Sequence, residues 1–168
     1  MSAFDAFVKE LEQEATGTAR LLERIPEEHL SWKPHEKSMS LGQLAMHIAT
    51  TPGGIATALR GDSYQIDPGA FDNVPGAASR QEILDALAKS VAEAKDYLSG
   101  LDSEHAAATW RLMAGPKELM AAPRIGVIRS VMLNHWYHHR GQMTVYLRLL
   151  NVQLPPVYGR SADESAFG

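Results

Sequence analysis

The 168-residue chain, with 45% hydrophobic and 21% charged residues, fits one globular domain over 1–168 that can build its own core. Its 16 Lys and Arg and 20 Asp and Glu are scattered without a basic stripe, which argues against a nucleic-acid partner, and the absence of cysteine excludes disulfides and thiolate metal ligands. With no signal-like segment and no apolar run of bilayer length, the expected setting is cytoplasmic, with no membrane partner.

Phe4, Phe7, Val8, Leu11, Ala15, Thr18, Leu22 and Ile25 recur at helical spacing and predict an amphipathic helix over about residues 2–25, stopped by Pro26. From 26 to 39 the chain reads as a connection, and His29 and His35, off any apolar stripe, are expected in solvent. Ser40 with Gln43 three residues on forms a capping box that opens a second helix, about 40–60. Leu44, His47, Ile48, Thr51 and Ile55 share one face of it, so an imidazole lies within an apolar stripe. Pro52 lacks an N–H and crowds the preceding turn, which predicts a break or kink just after His47, with Thr51 capping a shorter second piece.

Residues 61–78 turn to Gly, Pro, Asp and Asn and read as a long connection of the kind that is often functional or mobile. Ser79 and Glu82 repeat the capping pattern, and Ile83, Leu84, Leu87, Val91, Ala94 and Leu98 predict a third helix, about 79–99, with Gly100 as its C-cap. The stretches 109–113 and 118–120 flank Gly115-Pro116 and predict a small hairpin. His105, among Asp102, Ser103 and Glu104, is expected to be exposed. A fourth helix, about 124–151, is followed by a tail, 152–168, that cannot continue it and is expected to run extended across the bundle. Four amphipathic helices imply an all-α four-helix bundle with long crossover connections.

The fourth helix carries the chemistry. His135 and His139 lie one turn apart on the face that also bears Ile128, Val131 or Met132, Met143, Tyr146 and Leu150. Two imidazoles therefore point where a helix normally puts core side chains. Such residues are often core histidines satisfied by hydrogen bonds. The alternative is a metal: a His-x-x-x-His pair supplies two ligands, and His47 on another helix is the best third. Three neutral imidazoles without a carboxylate suit Zn²⁺ or Ni²⁺ first, with Fe²⁺ or Mn²⁺ also compatible, and leave a coordination position open. His138 points about 100° away from His139 and reads as a flank or interface residue. Gln142, three residues beyond His139, is placed to touch the site or to support its ligands. A zincin-type peptidase is excluded by Trp136, which occupies the position of the general-base Glu.

The run Asn134-His135-Trp136-Tyr137-His138-His139-Arg140-Gly141-Gln142, the following Tyr146-Leu147-Arg148 and the tail from Tyr158-Gly159 to Ser161-Ala162-Asp163-Glu164 resemble the DinB family of YfiT-like metal-binding proteins. Trp32-Lys33-Pro34, residues 44–47 and Thr109-Trp110 resemble it in the same order, so the likeness covers nearly the whole chain. The resemblance implies a bundle of up-down-down-up topology, often a homodimer, with a divalent metal on His47, His135 and His139. It also implies that some relatives transfer low-molecular-weight thiols or use one as cosubstrate.

Three functions compete. The first is a metalloenzyme that activates an external thiol such as bacillithiol, mycothiol or glutathione. The second is a hydrolase using metal-activated water, with Tyr146, Tyr158 or His138 as the proton-handling group. The third is a non-enzymatic, stress-responsive module in which the metal only fixes the bundle, and it requires a closed site with no pocket beside it.

Overall fold

In the computed structural model, which describes residues 4–67, 69 and 75–165, helix α1 spans Asp5–Leu22 and buries Leu11, Thr18, Leu21 and Leu22. Asp5 places a negative charge in its first turn, where the helix dipole favours one. The expected start at Ser2 lies outside the described residues. Pro26 follows the helix as expected, and a short 3₁₀ turn, Glu27–His29, leads into the connection, with His29 and His35 exposed.

Helix α2, Leu41–Leu59, starts from the expected capping box: Ser40 Oγ accepts from Gln43 N–H at 3.2 Å, and Gln43 Oε1 accepts from Ser40 N–H at 2.8 Å. The helix does not break at Pro52. Proline removes the donor that would serve the Ile48 carbonyl four residues back, and the indole N–H of Trp136 donates to that carbonyl at 2.9 Å instead. The orphaned acceptor is therefore satisfied from another helix, and α2 continues through the proline. Thr51 does not cap a new piece; its hydroxyl donates back to the His47 carbonyl at 2.6 Å. At Gly53 a Cβ would come within 2.8 Å of Ser90 Cα, so the absent side chain is what lets α2 lie close against α3.

Helix α3, Arg80–Ser99, is capped by Ser79, while Glu82 accepts from the Ala78 N–H at 2.6 Å, one residue ahead of the expected box. Gly100 ends it without entering the left-handed region. Helix α3 packs on α1 and α2, and α2 packs on the last long helix.

The expectation of an all-α chain is corrected by a three-stranded sheet of order β1-β2-β3. Strands β2 (Thr109–Ala114) and β3 (Lys117–Pro123) form the expected hairpin around Gly115-Pro116, with Gly115 at φ 56°. A positive φ followed by a proline-locked negative one matches a tight turn with Gly first. Strand β1 (Ser63–Gln65), inside the predicted connection, joins β2 in parallel, Tyr64 opposite Leu112. Residues 68 and 70–74 of that connection lie outside the described residues. A short helix α4, Ser103–Ala107, precedes β2, and its His105 is half-buried against Tyr97 rather than exposed.

The sheet is fastened to the C-terminal end of α2. Trp110 Nε1 donates to the Ala58 carbonyl at 2.9 Å, and the buried Arg124 donates to the Leu59 and Gly61 carbonyls at 3.1 and 2.8 Å. These bonds satisfy helix-end acceptors that α2 cannot serve itself. From Arg124 the chain runs as α5 (Arg124–Val127), a π-helical segment (Ile128–Asn134) and α6 (His135–Leu149). The wide π turn puts the adjacent Met132 and Leu133 both inside and leaves Val131 beside the cavity described below. The tail is irregular and doubles back instead of running extended: Leu154 N–H donates to Asp163, and Ser161 Oγ donates to the Leu154 carbonyl. Its last residues, 166–168, lie outside the described residues. No helix among the described residues is long and apolar enough to cross a membrane.

Candidate metal centre

Two registers must agree for the histidines to meet. Ser40 fixes where α2 begins, and His47 follows two turns later on its apolar face. Trp136, bonded to the Ile48 carbonyl, then fixes α6 against α2 at the residues next to His47 and His135. The proline at 52 thus creates the acceptor that holds the two histidine-bearing helices in phase.

The result is a cluster in which one ligand atom from each of His47, His135 and His139 lies within 4.8 Å of the others. The rings stand nearly perpendicular, with centroids 4.4 Å apart for His47–His139 and His135–His139 and 5.2 Å for His47–His135. His139 Nδ1–H donates to Gln142 Oε1 at 2.7 Å, which leaves its Nε2 lone pair turned inward. That Nε2 faces the Nε2 of His135 at 2.8 Å. Two lone pairs so close repel unless a proton or a cation lies between them. His135 Nδ1 is buried with no well-aligned partner, although the Val131 carbonyl one turn back lies close enough to favour the protonated ring.

The electrostatics favour neutral rings, the form that binds a metal. Burial, followed by the nearby His139 and His135, pushes His47 down to about 4. Burial also lowers His135, with His138 adding to the effect, and it lowers His139 against the opposing hydrogen bond that His139 donates to Gln142. Among the described residues no carboxylate or further histidine joins the cluster. The donor set therefore fits a borderline divalent ion such as Zn²⁺ or Ni²⁺.

His47 and His135 form one end of a cleft of about 420 Å³. Its walls are Thr50, Thr51, Gly54, Ile55 and Ala58 of α2, Val127 and Val131 of the last long helical run, and Tyr64, Ile66, Trp110, Leu112 and Met120 on or beside the sheet. The sheet, with its unexpected strand β1, is thus one wall of the candidate site.

The sequence profile of the DinB family matches residues 1–166. The chain belongs to the DinB family. A Bacillus subtilis (strain 168) protein, YrdA, is 27% identical over 162 residues, 96% of this chain and 92% of that protein. The solved structure of a DinB-like protein from Bacillus cereus ATCC 10987 superposes with a TM-score of 0.72 at 23% identity, covering 92% of this chain and 97% of that one. A second DinB-like structure, YjoA from Bacillus subtilis, gives 0.67 at 23% identity, covering 91% and 98%. At these identities the structures establish a shared DinB fold.

Against that fold the remaining predicted site residues divide. Gln142 touches His139, and the exposed His138 meets the His139 ring edge-on, with centroids 4.9 Å apart. Tyr146 lies two turns beyond His139, where its hydroxyl donates to the Met39 carbonyl at 3.1 Å and its ring meets the edge of Trp32. Tyr158 lies in another network, donating to Glu14 Oε2 at 2.8 Å and accepting from Arg140 at 2.5 Å. Neither tyrosine lines the cleft. Arg140 itself is buried and also pairs with Glu14 at 2.5 Å and with Thr18 at 3.2 Å, tying α6 and the tail to α1. In this DinB-family chain the conspicuous Arg140 after His139 is therefore a structural strut. Sequence reasoning missed Val131, Trp110, Leu112 and Met120 as cleft residues, and only the hairpin signal pointed toward the last three.

Proposed function

We propose that this DinB-family protein is a metalloenzyme in which His47, His135 and His139 hold a divalent ion that activates a low-molecular-weight thiol for transfer to an electrophile. The observation that carries the reading is the meeting of three neutral imidazoles with an apolar cleft that contains no carboxylate, Lys or Arg among its described lining residues. When bound, such an ion makes a thiol acidic enough to react near neutral pH. The chain's own groups do the rest. Gln142 holds the His139 tautomer, burial keeps the imidazoles unprotonated, and the cleft excludes water from the electrophile. In the reaction the thiol proton leaves to solvent and the sulfur forms a bond to carbon. A haloalkane releases its halide with the electron pair of the broken bond, whereas an epoxide opens at that C–O bond to an alkoxide that stays on the product and takes a proton from solvent.

The cleft speaks against a metal that merely staples the fold, and the missing carboxylate base speaks against hydrolysis. With this reading go the remaining expectations for a DinB protein: a single domain over 1–168 built on four long helices in up-down-down-up order, a homodimer, and a cytoplasmic location. The test is a zinc- or nickel-loaded assay with bacillithiol, mycothiol or glutathione and a haloalkane or epoxide. Acceleration over a His47→Ala control is expected; equal rates for both proteins would remove the proposal.

A further inference from the structure

The walls of the cleft say what it accepts. Three polar wall groups are engaged inside the protein, while Tyr64 brings its hydroxyl from the exposed side: Thr50 Oγ1 donates to the Met46 carbonyl at 2.8 Å, Thr51 Oγ1 to the His47 carbonyl at 2.6 Å, and Trp110 Nε1 to the Ala58 carbonyl at 2.9 Å. What they present to the cleft is carbon. At about 420 Å³ the space falls within the range of small-molecule sites. A charged group placed there would lose hydration and meet no opposite charge among the described lining residues.

Gly54 supplies an independent observation. It lies inside α2, where glycine is a poorer choice than alanine because it loses more backbone freedom on folding. Its neighbour Gly53 has a packing reason, since a Cβ there would strike Ser90. Gly54 has none: a Cβ would meet nothing within 4 Å, and the residue borders the cleft. The residue is exposed at the border of the cleft, so a longer side chain at this position has room to lie across the opening. The missing side chain keeps the space open at a cost to the helix.

We infer that the cleft between α2 and the sheet is the binding site for an uncharged, apolar small molecule, with its reacting end at His47 and His135, and that Gly54 sets its width. This names the substrate class for the proposed transferase, and it rests on that reading only for what happens at the histidine end. On this account the hydrophilic thiol approaches from the exposed rim near His138 and Gln142, and the apolar electrophile fills the cleft.

The experiment titrates zinc-loaded full-length protein with 1-alkanols from 1-butanol to 1-octanol, following tryptophan fluorescence and calorimetric heat, with 6-amino-1-hexanol as the charged counterpart of 1-hexanol. Each added methylene should tighten binding by roughly fourfold until the cleft is full. The ammonium compound should bind at least about tenfold more weakly than 1-hexanol. Gly54→Leu should abolish alkanol binding while keeping the zinc content of the wild type, and Gly54→Ala should raise the thermal midpoint. No chain-length dependence, equal affinity for the charged compound, or unchanged binding by Gly54→Leu would overturn the inference. So would a wild type that ignores alkanols while Gly54→Leu turns a dimer into a monomer by light scattering, because the cleft would then be an interface between copies. Zinc uptake without alkanol binding sinks this inference alone; alkanol binding without zinc uptake sinks the metal reading alone.

Discussion

Replacing Trp136 with Phe tests whether an orphaned carbonyl couples the two histidine-bearing helices. Trp136 is fully buried and its indole N–H is the donor to the Ile48 carbonyl at 2.9 Å, an acceptor that Pro52 cannot serve. Phenylalanine keeps an aromatic ring but leaves that buried oxygen without a partner, which costs about 1–3 kcal/mol. Two kcal/mol in a domain of this size lowers the melting temperature by roughly 4–8 °C. Loss of ring volume adds a cavity contribution, so the informative quantity is a double-mutant cycle with Pro52→Ala. Alanine restores a backbone N–H four residues after Ile48, and the hydrogen-bond part of the Trp136→Phe penalty should then fall by about 1 kcal/mol or more. The assay is urea unfolding of all four proteins in metal-free buffer. An identical penalty for Trp136→Phe in both backgrounds would refute the argument that the proline and the indole share one acceptor.

Three further outcomes follow from the same contacts. Gln142→Ala removes the acceptor that orients His139 and should weaken zinc affinity about 10-fold or more, measured by competition with a chromophoric chelator. Glu14→Ala leaves the buried Arg140 without its carboxylate and should destabilise the protein by about 3 kcal/mol, whereas Asp96→Ala, which breaks an exposed pair with Arg60, should change it by less than about 1 kcal/mol. For the metal-free protein, His47 is held at about 4 against an ordinary 6.5, so between those values the unfolded chain takes up a proton that the folded chain refuses. Stability should therefore fall as pH drops from 6.5 to 4. A shift of that size taken whole is worth about 3 kcal/mol, and solvent screening of a partly exposed ring reduces it to roughly 1–2 kcal/mol. Chemical unfolding at pH 7.5 and 4.5 measures the difference.

The metal candidates were legible because helical spacing is a local property. His135 and His139 are one turn apart whatever surrounds them, and His47 betrayed itself by standing among Leu44, Ile48 and Thr51. The spans of α1, α2 and α3 followed from apolar periodicity and from Ser40 and Ser79 as caps. What escaped depends on partners far along the chain. Pro52 reads as a break until Trp136 arrives to satisfy the Ile48 carbonyl. Strand β1 is three exposed residues held by pairing to β2, far along the chain, and by contact with α2, so no alternation announces it. The π segment has no propensity signature, and Tyr158 looked like a site residue because the strut it forms with Arg140 and Glu14 is assembled from α1, α6 and the tail.

Whether three imidazoles share one ion is decided most directly by metal content after loading with zinc at pH 8 and gel filtration. The wild type should retain about one equivalent per chain, and His47→Ala, His135→Ala and His139→Ala, each with native helical content by circular dichroism, should retain close to none. A wild type that emerges without zinc, or variants that retain as much as the wild type, would contradict the account.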